Sequence, residues 1–457
     1  MARQLFGTDG IRGIAGQYPL DEPTVFAIGR ALGHRLRSAA QHQRVVIGQD
    51  TRESSQWIAN TLSAGLLNAG IEVKSAGVIT TPGVAFLART DAFGAGIVIS
   101  ASHNPWIDNG IKVFSANGFK LPDELEHQIE AEIFQLLGSK QQDSAETAVL
   151  FRSLPGSTEL HRHYVCWLAQ QVAGTDLSHM RVLVDCANGA ASAVAPDVFS
   201  ACGVQARVLH QAPDGRNINH ECGALHPYTV AQAVAAESGR YDLGITFDGD
   251  ADRALFSDAA GRVVNGDAIL LLAARDMQAR GELAGSLVIA TTMSNMGLEF
   301  ALRRSGIRML RAPVGDKYVL EEMLKHGSTL GGEQSGHIIF RDGDATTGDG
   351  LLTALRVLQV MARSGKPLAE LVADLKVFPQ IIKNVRVREK KPLMEIPAVA
   401  AAITAAEKEL DGNGRVVVRY SGTEALARVM VEAEDEVKMH RLANAIVAAI
   451  QQALGSS

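Results

Sequence analysis

Short apolar runs that stop abruptly at small polar or acidic residues recur along this chain. Val45-Val-Ile-Gly-Gln-Asp50-Thr-Arg52, Val182-Leu-Val-Asp185-Cys-Ala-Asn188-Gly189 and Leu287-Val-Ile-Ala-Thr291-Thr-Met-Ser294-Asn295 each read as a strand followed by small-residue-rich, helix-compatible sequence. That is the βα pattern of a mostly parallel sheet, and its recurrence predicts three related α/β units. The runs 96–99 and 243–247 read as further strands. The last part of the chain differs. Arg415-Val-Val-Val-Arg-Tyr420 and Arg428-Val-Met-Val-Glu432 read as β segments around Ser421-Gly-Thr-Glu424. A closing helix is predicted from Met439, Leu442, Ile446 and Ile450, spaced i, i+3, i+7, i+11. Boundaries are expected in the polar stretch 138–157, after Asp258 and in 366–378. The fold class is α/β, with expected domains 1–155, 156–257 and 258–370 and a smaller C-terminal α+β domain, 371–457.

Two strand ends carry the strongest chemical signal. The run 96–99 ends in Ser100-Ala-Ser102-His103-Asn104-Pro105, where Pro105 forbids the strand from continuing and biases Asn104 toward an extended conformation. A hydroxyl is thereby held beside an imidazole at a strand's carboxyl end, where open α/β sheets bind ligands. The run 243–247 leads into Asp248-Gly-Asp250-Ala-Asp252-Arg253. Three carboxylates at alternate positions repel one another unless a cation sits among them, and all-oxygen ligands suit Mg²⁺ or Ca²⁺. An EF-hand loop is excluded, because its sixth position would be Arg253 where Gly is required and its twelfth Ala259 where Glu is required.

Three further segments look chemical. Phe6-Gly-Thr-Asp-Gly-Ile-Arg-Gly13 gathers glycines around Asp9 and Arg12, allowing close backbone approach to a ligand. Gly331-Gly-Glu333-Gln-Ser335-Gly-His337 sets donors and acceptors between glycines, as recognition of sugar hydroxyls needs. Arg419-Tyr-Ser421-Gly422-Thr423, with Arg428, combines guanidinium forks and hydroxyls into an anion-binding nest.

Composition narrows the function classes. The 457 residues are 46% apolar, enough for several cores, and the net charge of −6 with mixed signs argues against nucleic acid or an anionic membrane as partner. No apolar run approaches the ~20 residues of a membrane helix, and the N-terminus lacks a signal-peptide core. Cys166, Cys186, Cys202 and Cys222 are too far apart for a CxxC motif, so a cytoplasmic location with reduced thiols is expected.

The motifs at 100–105, 248–253, 332–337 and 419–424, in this order, resemble those of the α-D-phosphohexomutase superfamily from end to end. The resemblance implies a heart-shaped, four-domain molecule around one cleft, three of its domains being similar α/β domains with mixed sheets. It implies that Ser102 carries the transferred phosphate, with Ser100 its neighbouring competitor. Asp248, Asp250, Asp252 and the phosphoserine would hold Mg²⁺, and Glu333, Ser335 and His337 would bind the sugar. Arg419, Ser421, Gly422, Thr423 and Arg428 would bind the phosphate not in transfer. Arg12, His103 and Lys112 are candidates for charge stabilisation and proton transfer, the base among them left open.

Phe6-Gly-Thr-Asp-Gly-Ile-Arg12 and Gln334 look most like the subgroup that interconverts glucosamine 6-phosphate and glucosamine 1-phosphate, feeding UDP-N-acetylglucosamine and cell-wall synthesis. The alternative is a phosphomannomutase/phosphoglucomutase. Either would be an intramolecular phosphotransferase working through a hexose 1,6-bisphosphate, and the resemblance implies glucosamine 1,6-bisphosphate or a similar hexose bisphosphate as activator. A metal-dependent phosphatase would share Ser102 and the aspartates but would not need a second phosphate clamp. Sugar phosphate is the expected partner, and a homodimer is left open. The chain departs from the family pattern at Gln49, Ala251, Lys317 and Ala425, none of them an expected catalytic group.

Overall fold

The computed structural model describes residues 5–7, 9–38, 42–138, 155–341, 346–421 and 425–455. They fall into two compact units, 1–293 with 307–373 and 294–306 with 374–457. Among the described residues no helix is long and apolar enough to cross a membrane.

The first unit holds three sheets. The first runs Phe6–Gly7, Gly10–Ile14, Asp108–Ser115, Ala95–Ile99, Arg44–Gln49, Glu72–Val78. The second runs Val263–Val264, Ala254–Asp258, Leu243–Phe247, Arg181–Asp185, Gln205–Leu209. The third runs Arg308–Ala312, Leu287–Thr291, Leu330–Gly332, Ile338–Phe340. The apolar runs thus form strands where their composition requires, and the strands that helices connect pair in parallel. Each sheet also has an antiparallel side, so all three are mixed.

The antiparallel side has a common origin. In each sheet a parallel strand turns back through a short loop into an antiparallel strand. Ala95–Ile99 returns as Asp108–Ser115, Leu243–Phe247 as Ala254–Asp258, and Leu330–Gly332 as Ile338–Phe340. The three intervening loops are the serine, aspartate and Glu333–His337 segments. The second sheet runs on to Val264, so the boundary expected after residue 257 falls inside it.

Helices Glu22–Ser38 and Ser55–Asn68 bury Val25, Ile28, Leu62 and Leu66 against Val45, Ile97 and Ile111 of the first sheet. They cross at two glycines. A Cβ on Gly29 would lie 2.1 Å from the Leu62 carbonyl oxygen, and one on Gly65 would lie 2.3 Å from that of Phe26.

The second unit is built on an antiparallel sheet ordered Gln380–Arg386, Leu426–Ala433, Gly414–Tyr420. Helices Pro397–Leu410 and Glu436–Leu454 cover one face, and Met439, Leu442, Ile446 and Ile450 are buried with Val429 and Val431, as their spacing predicts. Helix Met296–Arg304, distant in sequence, belongs to this unit. Its Met296 N–H donates to Glu432 Oε1 at 2.7 Å, and Arg415, paired with Glu432, donates to the Ser294 carbonyl at 2.8 Å.

Alanine for glycine inside a helix normally stabilises it by up to about 1 kcal/mol. At Gly65 the methyl would strike backbone, and overpacking of this kind costs about 1–3 kcal/mol. Gly65→Ala should therefore lower the thermal unfolding temperature; an unchanged or higher value would show that the two helices do not meet here.

Candidate active site

The serine loop is shaped by groups that never touch its reactive atom. Ser100 Oγ donates to Asp50 Oδ2 at 2.6 Å and accepts from the Ser102 N–H at 2.9 Å. Arg52 is buried, and its Nε donates to Asp50 Oδ2 at 2.8 Å. Its remaining N–H groups donate to the carbonyls of Ser102 and Asn104, both at 2.9 Å, of Asp108 at 3.0 Å, and of Pro105. Asn219 Nδ2 donates to the same Ser102 carbonyl at 2.9 Å. A buried guanidinium is tolerable only when so fully paired. With its carbonyl pinned, Ser102 sits at φ 52°, a left-handed conformation costing an L-residue about 1–2 kcal/mol. Its Oγ donates to Asp248 Oδ2 at 2.6 Å and lies 3.4 Å from His103 Nδ1. Of the two serines, Ser100 spends its hydroxyl on the loop and Ser102 presents its own to the acids.

Asp248, Asp250 and Asp252 are all buried, and one carboxylate oxygen from each lies within 4.8 Å of the others. Ala251, between them, has φ 55°, a left-handed conformation that glycine adopts at no steric cost. Lys112 Nζ is 2.6 Å from Asp250 Oδ2 and 3.8 Å from Asp252 Oδ2, and Thr81 Oγ1 donates to that Asp250 oxygen. Burial, with the charges of Asp252 and Asp250, pushes the Asp248 carboxyl well above the usual carboxylate range. Burial acts on Asp252 in the same sense, but Lys112 and His337 outweigh it and hold that carboxyl well below the range. For Lys112, burial is outweighed by Asp250 and Asp252, which hold the ammonium above its ordinary value.

Two oxygens, Asp250 Oδ1 and Asp252 Oδ1, are buried without a hydrogen-bond partner. Orphaned acceptors of this kind are costly. Together with Asp248 and the Ser102 hydroxyl they make an all-oxygen donor set, which fits a hard divalent cation such as Mg²⁺.

The third loop joins this cluster through His337. Its Nδ1 lies 3.7 Å from Asp252 Oδ2, and its Nε2 accepts from the Gly348 N–H at 3.0 Å. A Cβ at Gly348 would lie 2.4 Å from the ring, so glycine is required there. Glu333 accepts from the Gly315 N–H at 3.1 Å, and Ser335 Oγ is 3.5 Å from Glu333 Oε2. Gln334 donates to Asp267 at 3.1 Å. Arg12, on strand Gly10–Ile14, pairs with Asp9 at 3.5 Å. Burial, then the charges of Arg253 and Arg12, hold the His103 imidazole below its ordinary range, leaving it neutral at pH 7. Arg12, Ser102, His103, Lys112, the three aspartates, Glu333, Ser335 and His337 thus all belong to the first unit.

The second unit carries the basic motif. Arg419 and Arg428 are directly opposite in neighbouring strands, with Asn384 opposite Arg428 on its other side. Like charges so paired repel, and an anion between two guanidinium forks relieves this. Ser421 closes the turn with its N–H on the Leu426 carbonyl at 2.8 Å. Gly422 and Thr423 lie outside the described residues.

Sequence reasoning missed Asp50, Arg52, Thr81 and Asn219. Asp50-Thr-Arg52 stood at a strand end like the other chemical loops, a usable signal; nothing local marks Thr81 or Asn219.

Models of the phosphoglucomutase/phosphomannomutase α/β/α domains I, II and III match residues 3–138, 162–261 and 265–378, and that of the C-terminal domain matches 382–449. A phosphoglucosamine mutase of Koribacter versatilis (strain Ellin345) is 66% identical over 453 residues, 99% of this chain and 98% of that protein. One of Solibacter usitatus (strain Ellin6076) is 52% identical over the whole of both. The crystal structure of a phosphoglucomutase/phosphomannomutase family protein from Burkholderia thailandensis is similar with a TM-score of 0.78, at 25% identity, covering 98% of this chain and 97% of that one.

Replacing Asp250 by Asn removes one anionic donor while keeping its shape. Calorimetric titration with Mg²⁺ should show affinity falling at least about tenfold, the loss typical even of an outer-shell partner. Equal affinity in the variant would place the cation elsewhere.

Proposed function

The chain belongs to the phosphoglucomutase/phosphomannomutase family, and from that premise we propose that it interconverts glucosamine 6-phosphate and glucosamine 1-phosphate through a phosphoserine at Ser102. The observation that carries this reading is the Ser102 hydroxyl, 2.6 Å from Asp248 within a buried all-oxygen cluster. The choice of glucosamine is supported by the phosphoglucosamine mutases at 66% and 52% identity.

The transfer needs in-line positioning and charge stabilisation more than covalent help from the protein. Phosphoserine carries about −1.5 to −2 charge; Asp248, Asp250 and Asp252 would hold Mg²⁺, which would supply the positive charge that lets a second phosphate approach. The free sugar hydroxyl attacks phosphorus, the Ser102 Oγ–P bond breaks, and the hydroxyl proton passes to a base. The product is glucosamine 1,6-bisphosphate. After reorientation, Ser102 Oγ attacks the other phosphate, the sugar oxygen leaves with a proton, and the phosphoserine is restored.

His103, neutral and 3.4 Å from Ser102 Oγ, is suited to proton transfer. Lys112 fixes the aspartates, and with Arg12 it contributes positive charge. Glu333, Ser335 and His337 serve the sugar, His337 also being tied to Asp252. Arg419, Ser421, Gly422, Thr423 and Arg428 hold the phosphate not in transfer. The division into domains 1–155, 156–257, 258–370 and 371–457 belongs to the same proposal, with the second extended to Val264 to keep its sheet whole.

Ser102→Ala should lose nearly all turnover while staying folded, and peptide mapping of protein purified from cells should find phosphate on Ser102. Wild-type turnover in the variant would end the phosphoserine reading. In a panel of glucosamine, glucose and mannose phosphates assayed with Mg²⁺ and hexose 1,6-bisphosphate, glucosamine phosphate should show the highest kcat/KM; preference for mannose or glucose would reassign the substrate.

A charge-assisted contact is worth about 1.5–3 kcal/mol. Arg419→Ala and Arg428→Ala should each lower kcat/KM about 10- to 100-fold and release more bisphosphate. Wild-type kinetics in both would remove the distal clamp from the mechanism.

A further inference from the structure

A second group of metal-ligating side chains lies outside the acidic cluster, where the strands of the second sheet end. Asp185 closes strand Arg181–Asp185, His210 follows strand Gln205–Leu209, and Cys222 stands just before the turn Gly223–Leu225. A carboxylate oxygen, a ring nitrogen and the thiol sulfur of these residues all lie within 4.8 Å of one another. His210 Nδ1 is 3.0 Å from Asp185 Oδ1, so imidazole and carboxylate already face each other.

We propose that Asp185, His210 and Cys222 bind a borderline transition-metal cation, of which Zn²⁺ and Co²⁺ are the types. One oxygen, one nitrogen and one sulfur donor discriminate against Mg²⁺, which the acidic cluster takes, and favour an ion that accepts imidazole and thiolate. Bonds of about 2.0–2.3 Å set such donors a few ångströms apart, the spacing found here. The carboxylate is already oriented, accepting from the Ala187 N–H at 2.8 Å and the Gly223 N–H at 2.9 Å, as an outer shell should arrange. Three protein ligands leave a fourth position for water. The His210 side chain is 34% exposed, which gives the ion a way in. Burial, and then Asp185, push the free Cys222 thiol up to about 12, so the cation must displace a proton on binding.

The site has a consequence for the serine loop. Asn219, which donates to the Ser102 carbonyl, lies three residues before Cys222, and its own N–H donates to the Ala187 carbonyl at 2.9 Å. Ala187, Asn188, His210, Asn219 and Glu221 all have positive φ, five of the ten such non-glycine residues described. A cation joining Asp185, His210 and Cys222 cross-links the three segments that hold this strained arrangement, and so fixes Asn219. That coupling rests on the role given to Ser102 above; the binding itself does not.

The test is made on the full chain, stripped of metal and then titrated with Co²⁺ in the presence of excess Mg²⁺ to fill the acidic cluster. One equivalent should bind with a thiolate-to-cobalt charge-transfer band. Cys222→Ser should abolish the band. His210→Asn, which keeps a residue tolerant of positive φ, should weaken binding at least about tenfold. Asp250→Asn should leave the band unchanged. Zn²⁺ should raise the unfolding temperature of the wild type and not that of His210→Asn. Absence of the band from the wild type, or a band of equal strength in Cys222→Ser, would overturn the proposal, as would wild-type affinity in His210→Asn.

Discussion

Three carboxylates buried within 4.8 Å of one another are the constraint to which the first unit is built. Unit charges at such separation interact by about 4 kcal/mol at an effective dielectric constant of 20, and a whole domain is stable by only about 5–15 kcal/mol. The fold meets this by bringing counter-charge from elsewhere. Lys112 brings that charge from the first sheet to the aspartates of the second, and the loop of the third sets the His337 ring beside Asp252. The cluster therefore joins three sheets, and it remains short of donors to Asp250 Oδ1 and Asp252 Oδ1. A site that gathers its anions and leaves two of their oxygens without donors suits both Mg²⁺ and phosphate chemistry beside it.

The repeated topology explains how three separate loops reach one place. Each joins a parallel strand to an antiparallel return, so each leaves its sheet at an equivalent point. The serine loop needs more than topology, because its Ser102 backbone is strained. Asp50, Arg52 and Asn219 over-determine it, and through Asn219 the second sheet's loops control the backbone that aims the Ser102 hydroxyl.

Much of this was legible in the sequence. Apolar runs gave strands because burial leaves few alternatives, and alternating aspartates announced a cation because like charges need one. The i, i+3, i+7, i+11 spacing of Met439, Leu442, Ile446 and Ile450 put all four in the core. What could not be read were properties of tertiary contact. A buried Arg52 looks like any charged residue after a strand. The affiliation of Met296–Arg304 with the second unit rests on Glu432 and Arg415, more than a hundred residues away. The boundary after 257 missed because Val263–Val264 is too short for its pattern to announce a strand. The parallel expectation held only for helix-linked strands, since the tight returns carry no helix.

The central claim is that a phosphoryl group passes between Ser102 and the sugar without reaching water. Its most direct test is a single turnover of enzyme carrying a radiolabelled phosphate on Ser102, mixed with unlabelled glucosamine 6-phosphate and Mg²⁺. The label should leave the protein and be recovered on the sugar, as glucosamine bisphosphate and monophosphate. Label retained on Ser102, or released as inorganic phosphate, would contradict the account.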